Sequence, residues 1–185
     1  MQIDIGLLVL NAGIGHSGAL GKTEPKKSQN ILDANVYHVA ILLKMLLPEL
    51  KSRDKLLLQE GRRSVRSGVI ITSSMAPKVL IGKGTQYSSS KVFCNFLGEA
   101  VNYELKNEAS RVDLSVLMPG PVYTTMTAKM PKIGCWWVTP KKCVDKTLID
   151  LGREEATYGA MSHEILGYLC SVIVQHWLSR GSRSQ

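Results

Sequence analysis

Tyr87 and Lys91 are four residues apart in a stretch with helical character, Tyr87 to Asn107. On a helix that spacing puts both side chains on one face, a turn apart. A lysine ammonium beside a phenol favours the phenolate, so the pair predicts a Tyr87 pKa below its ordinary value. A tyrosine tuned in that way acts as a general acid or base near neutral pH. Ser74 lies just beyond the apolar run Gly68 to Ser73, at the end of a strand where open α/β sheets bind ligands. Its hydroxyl suits a substrate carbonyl, where it stabilises negative charge building on the oxygen. Either feature alone is ordinary: Y-x-x-x-K arises by chance, and Ser-Ser after a strand is a common turn.

Buried strands and flanking helices have to hold these groups. Ile5 to Leu10 is a continuous apolar run closed by Asn11-Ala12-Gly13, the pattern of a parallel strand covered on both faces. Gly68 to Ser73 and Asp113 to Met118 repeat it, the latter stopped by Pro119-Gly120-Pro121. His16 to Ser28 reads as a loop. Gln29 to Leu50 reads as a helix ending near Pro48. Lys51 to Ser67 is polar and basic and reads as an extended helix end followed by a loop, a basic insertion. Thr139-Pro140 opens another helix, to about Gly152. Thr157 to Met161 reads as a last short strand, and 162–185 as a helix with a basic tail. Strands alternating with helices predict one α/β domain over 1–185 with a parallel sheet.

The 185 residues are 44% hydrophobic and 21% charged, ordinary for a globular domain. The net charge of +8 is accompanied by no nucleic-acid-binding motif, so no nucleic acid is expected as partner. Four cysteines without a C-x-x-C pair, and four scattered histidines, give no metal site. The apolar stretch Ile165 to Leu178 is shorter than the roughly 20 residues that span a bilayer. It either lies on a membrane surface or packs on the core.

Taken in order, these motifs resemble the short-chain dehydrogenase/reductase family. Asn11-Ala12-Gly13 after a strand resembles its N-N-A-G motif. Asn35 stands at the position of its catalytic asparagine. Ser74 precedes Tyr87 by thirteen residues, Y-S-S-S-K matches Y-x-x-x-K, and Pro119-Gly120-Pro121-Val122-Tyr123-Thr124 resembles P-G-x-V-x-T. Within the family, the very-long-chain 3-oxoacyl-CoA reductases and 17-beta-hydroxysteroid dehydrogenases are most similar. The resemblance implies a partial Rossmann fold and reduction of a ketone, a long-chain 3-oxoacyl thioester or a steroid. It implies NADP(H) rather than NAD(H) as cofactor. Tyr87 would donate the proton, Lys91 would tune Tyr87 and hold the nicotinamide ribose, Ser74 would orient the carbonyl, and Asn35 would anchor a proton-relay water. Asn11, Ala12 and Gly13 would line the adenosine side, and Pro119, Gly120, Val122 and Thr124 the nicotinamide end. It further implies a homodimer through the two long helices, peripheral membrane contact and the cytosolic face of the endoplasmic reticulum, with a cytoplasmic protein as the alternative. Met130, Trp136 and Trp137 fall where the family's substrate loop belongs, and either line an apolar pocket or pack locally.

Three departures accompany the likeness. No T-G-x-x-x-G-x-G segment is found, so the first three strands and the pyrophosphate-binding turn are expected to be missing. Leu10 stands where the first Asn of N-N-A-G belongs. The 51–67 stretch is longer than the family pattern. Without its usual neighbour, the Ile5–Leu10 strand is expected to be an apolar edge. An active reductase, a non-catalytic interaction module and a fragment of a longer enzyme all remain open.

Overall fold

The computed structural model describes residues 4–78, 84–132 and 134–181, and beyond 173 the backbone alone. Four parallel strands run in the order β1 (Leu7–Leu10), β2 (Gly68–Thr72), β3 (Asp113–Leu117), β4 (Ala156–Thr157). The sheet is short because each strand carries only a brief apolar run before a turn. Val69, Ile70 and Ile71 are all buried, as expected of a strand covered on both faces.

One face is covered by two long helical stretches. The first comprises α1 (Pro25–Leu32), a π-helical turn Asp33–Tyr37 and α2 (His38–Gln59); the second is α3 (Thr85–Asn107). Val39, Leu43, Leu47 and Leu50 of α2 recur at three- and four-residue spacing and pack with Val69, Ile71, Leu114 and Val116. The stretch 25–59 is also long and apolar enough by composition to cross a membrane. Only 28% of its apolar window is buried, and Leu42 and Met45 on the same helix are exposed. The other face carries α4 (Pro140–Asp150) and α5 (Met161–Gly181) over a smaller cluster of Ile70, Leu117, Val138, Cys143 and Ala160.

Several expected boundaries move. Residues 16–28 are not all loop, because Pro25 opens α1 from its first helical position. The helix does not end at Pro48, which lies inside α2. The 51–67 stretch is an extended helix end and a loop, as expected. Its first half continues α2, because Asp54 and Leu57 are buried there, and Asp54 Oδ1 accepts from both the Ser67 amide (2.8 Å) and the Ser67 hydroxyl (2.7 Å). Met161 starts α5 rather than ending a strand. The tail 182–185 lies outside the described residues, as do the side chains of the basic pair Arg180 and Arg183. The expected apolar edge is present: on β1, Leu7 and Val9 are 43% and 51% exposed, while Leu10 is buried.

Candidate active site

The carboxyl ends of β1, β2 and β3 open toward the start of α3. Ser74 stands two residues past β2. Its Oγ accepts from the Ala76 amide (3.0 Å), which leaves the hydroxyl proton available to a ligand oxygen. Tyr87 sits in the first turn of α3, with the Ser74 side chain next to its phenol. Burial pushes the Tyr87 phenol above its ordinary pKa, and Ser74 only partly opposes this. The downward shift expected from Lys91 does not occur. Lys91 Nζ lies 5.9 Å from the centre of the Tyr87 ring and donates to the Thr72 carbonyl at 2.8 Å. Its charge is therefore aimed at the end of β2. Burial also lowers the Lys91 pKa. An ammonium has three N–H groups, and this bond uses one, leaving donors for another ligand.

Asn35 is fully buried within the π-helical turn, an irregularity often found at functional sites. Its Oδ1 accepts from the Ile14 amide (2.8 Å), and its Nδ2 donates to the Ile14 carbonyl (3.0 Å) and to Ser90 Oγ (2.9 Å). Ser90 in turn donates to the Tyr87 carbonyl (2.7 Å), and the Cys94 thiol donates to the Asn35 carbonyl (3.2 Å). The side chain thus ties the loop after β1 to the turn bearing Tyr87. Gly13 fits this arrangement closely. A Cβ there would come 3.1 Å from Asn35 Oδ1 and 3.4 Å from Lys91 Nζ.

Ser74, Tyr87, Lys91, Asn35 and Gly13 are therefore gathered at one end of the sheet. Pro119 and Gly120 join them: the Met75 amide donates to the Pro119 carbonyl (3.0 Å), and a Cβ on Gly120 would meet Met75 Sδ at 3.0 Å. Other expected residues are less engaged. Asn11 and Ala12 are exposed on the loop after β1. Val122 pairs with Val138 in an isolated parallel bridge. Thr124 is tied to its own turn through Thr127. Trp137 packs on Tyr123 with ring centres 5.1 Å apart, and Met130 is exposed. A surface pocket at the opposite end of the sheet, lined by Arg66, Lys106, Asp113 and Glu155, holds none of the expected residues; its walls are joined by the ion pairs Arg66–Asp113 and Lys106–Glu155.

A family model described as "short chain dehydrogenase" matches residues 2–132. The chain belongs to the short-chain dehydrogenases. It is 27% identical over 177 residues to the zebrafish (Danio rerio) very-long-chain 3-oxoacyl-CoA reductase-B, covering 93% of this chain and 52% of that protein. It is 29% identical over 175 residues to human (Homo sapiens) 17-beta-hydroxysteroid dehydrogenase type 3, covering 92% and 51%. Among solved structures, a Burkholderia cenocepacia short chain dehydrogenase in complex with NADP superposes with a TM-score of 0.73 at 23% identity, over 96% of this chain and 68% of that one. The chain spans about half the length of the curated relatives it matches.

As a short-chain dehydrogenase the molecule has the expected Rossmann-type sheet. Three contributors were not singled out in the sequence. Ser90 carried a signal, being the last serine of Y-S-S-S-K. Ile14 and the Thr72 carbonyl act through backbone atoms, which no residue type betrays. The chain's own groups suit the nicotinamide-ribose half of a dinucleotide: Lys91 has donors to spare, and Gly13 brings backbone without a side chain close beside it.

Proposed function

We propose that this chain forms the catalytic part of an NAD(P)(H)-dependent ketone reductase. The observation that carries the reading is the gathering of Ser74, Tyr87 and Lys91 at the carboxyl end of β2. Ser74 Oγ–H and the Tyr87 hydroxyl hold the substrate carbonyl oxygen and polarise it. A nicotinamide, when bound, supplies the hydride to the carbonyl carbon. Tyr87 gives its proton to the oxygen as negative charge grows there. The raised pKa suits that direction, because burial keeps the phenol in the protonated form an acid requires. Lys91 holds the ribose hydroxyls with its remaining N–H groups. Asn35 acts as a brace for the Ile14 backbone, with its amide committed to protein partners.

The substrate class is a long-chain 3-oxoacyl thioester or a steroid ketone, in line with the names of the two relatives. NADP(H) is the preferred cofactor, and the cytosolic face of the endoplasmic reticulum the location. Ile165, Tyr168, Leu169, Val172 and Ile173 are exposed along α5 and would give peripheral membrane contact. The test is oxidation of NADPH, and of NADH in parallel, by the purified chain and by any longer product containing it. A 3-oxoacyl-CoA and a 17-ketosteroid serve as substrates. Tyr87→Phe should remove at least about 99% of the rate. Equal rates with and without the hydroxyl rule out the assignment.

A second reading has its own observation. Met45 on α2 and Phe96 and Tyr103 on α3 are 63%, 72% and 68% exposed, an unusual number of large apolar groups on two adjacent helices. They suit a homodimer through these helices, with or without catalysis. A monomer by sedimentation at micromolar concentration would exclude it.

A further inference from the structure

His163, in the first turn of α5, is fully buried and takes no part in the chemistry above. Its ring meets three backbone segments. The Gly120 amide lies 3.2 Å from Nδ1, the Trp136 carbonyl 2.9 Å from Nε2, and the Tyr158 carbonyl 3.2 Å from Nδ1. Nδ1 faces both an amide, which can only donate, and the Tyr158 carbonyl, which can only accept, so it either accepts from Gly120 while bare or donates to Tyr158 while protonated. A carbonyl can only accept, so Nε2–H donates to Trp136. A neutral ring that donates to Trp136 therefore has a bare Nδ1, which accepts from Gly120 and leaves the Tyr158 carbonyl unbonded to the ring.

The two loops that His163 joins also touch each other. The Tyr123 amide donates to the Val138 carbonyl (3.0 Å), the Val138 amide to the Pro121 carbonyl (3.2 Å), and Tyr123 stacks on Trp137. Gly120 is pressed so closely on the imidazole that a Cβ would fall 2.7 Å from His163 Cδ2. Through the bond from the Met75 amide to the Pro119 carbonyl, the same loop is fixed to the residue after Ser74.

We propose that His163 is a positioning residue of this site, its imidazole pinning the Gly120 loop to the Trp136–Trp137 segment so that the two form one wall beside Ser74. The proposal rests on the reductase reading for its functional consequence, and on the geometry alone for the pin. The imidazole is well suited to the task, since it offers an acceptor and a donor from one small rigid ring. Phenylalanine keeps the ring volume but has neither. Asparagine can accept from Gly120, and glutamine reaches toward Trp136, so each preserves one arm.

The experiment compares amide hydrogen exchange in the unsubstituted chain, His163→Phe, His163→Asn and His163→Gln, with the urea midpoint measured on the same samples. His163→Phe should speed exchange at Gly120 at least tenfold beyond the change in the slowest-exchanging amides of β2. His163→Asn should restore Gly120 protection to within about threefold, and His163→Gln should not. Exchange at Gly120 that follows only the global change overturns the pin. If His163→Phe does not fold, nitrogen NMR of the unsubstituted chain decides: a bare Nδ1 with protonated Nε2 supports the proposal, and any other state overturns it. In material with Tyr87-dependent turnover, His163→Phe should raise KM for the ketone at least fivefold with kcat changed less than twofold; a fall in kcat alone counts against positioning. Turnover unaffected by Tyr87→Phe removes the reductase reading and leaves the exchange result to judge the pin.

Discussion

Gly98 sets how closely α3 approaches the sheet, and replacing it with alanine measures what that closeness is worth. A Cβ at this position would fall 2.2 Å from Val116 Cγ2 and 3.6 Å from Ile71 Cδ1 and Leu114 Cδ2. Carbon atoms rest at about 3.5–4.0 Å, so the helix must move off β3 by more than about 1 Å or Val116 must leave its rotamer. Val116 is 2% exposed and β-branched, which leaves it few alternatives. Overpacking of a core costs about 1–3 kcal/mol, and a contact this short belongs at about 3. Alanine's better helix propensity offsets about 1 kcal/mol. The expected net loss is about 2 kcal/mol, a fall of about 1 M in the urea midpoint at an ordinary slope. Because α3 carries Tyr87 and Lys91 while β2 leads to Ser74, the same movement separates the groups proposed to hold the carbonyl. Misplacement on the order of 1 Å can reduce turnover about a hundredfold. The control is Gly98→Ala combined with Val116→Ala, which removes the clashing methyl. The pair should be more stable than the sum of the single losses by at least about 1 kcal/mol. A midpoint unchanged or raised in Gly98→Ala, or strictly additive losses, would refute the reasoning.

Three further outcomes follow from the same geometry. Asn35→Ala removes three side-chain hydrogen bonds made by a fully buried amide to the Ile14 backbone and to buried Ser90, for a loss of about 3 kcal/mol in urea unfolding; a loss below about 1 kcal/mol would show that Asn35 is no brace. Tyr87, with its folded pKa raised by burial, should ionise above the ordinary tyrosine range in ultraviolet difference titration against Tyr87→Phe. The stabilisation tied to the protonated phenol is complete below about pH 10 and is lost as pH rises through the folded value; a Tyr87 ionisation below the ordinary range contradicts this. At Asp150, burial raises the carboxyl pKa, but bonds from Lys146 and from Thr157 Oγ1 (2.5 Å) outweigh it and the net shift is downward. Its contribution is therefore present above the ordinary carboxylate pKa, about 3.9, and disappears as pH falls through the lower folded value. Asp150→Asn should flatten the acid limb of a stability–pH curve, and an unchanged limb would contradict the assignment.

The strands, the parallel sheet and the shared helical face of Tyr87 and Lys91 were legible in the sequence because each rests on a local pattern. Apolar runs closed by turn residues mark strands, and a four-residue interval fixes two side chains on one helical face whatever surrounds them. Boundaries were less legible. The polar stretch 51–59 looks solvated until Asp54 meets Ser67 and Leu57 meets the core, and Pro48 reads as a stop although its neighbours hold the helix together.

Tertiary structure alone decided the direction of the Tyr87 pKa, the bond from Lys91 to Thr72, the bracing of Ile14 by Asn35 and the joining of Gly120 to Trp136 by His163. The partners in these contacts are 19 to 43 residues apart. Burial and hydrogen-bond direction depend on which segments are brought together by packing, and that information is spread over the whole chain. Residue types near a position show what chemistry is available there; the fold determines whether a charge faces a phenol or a carbonyl.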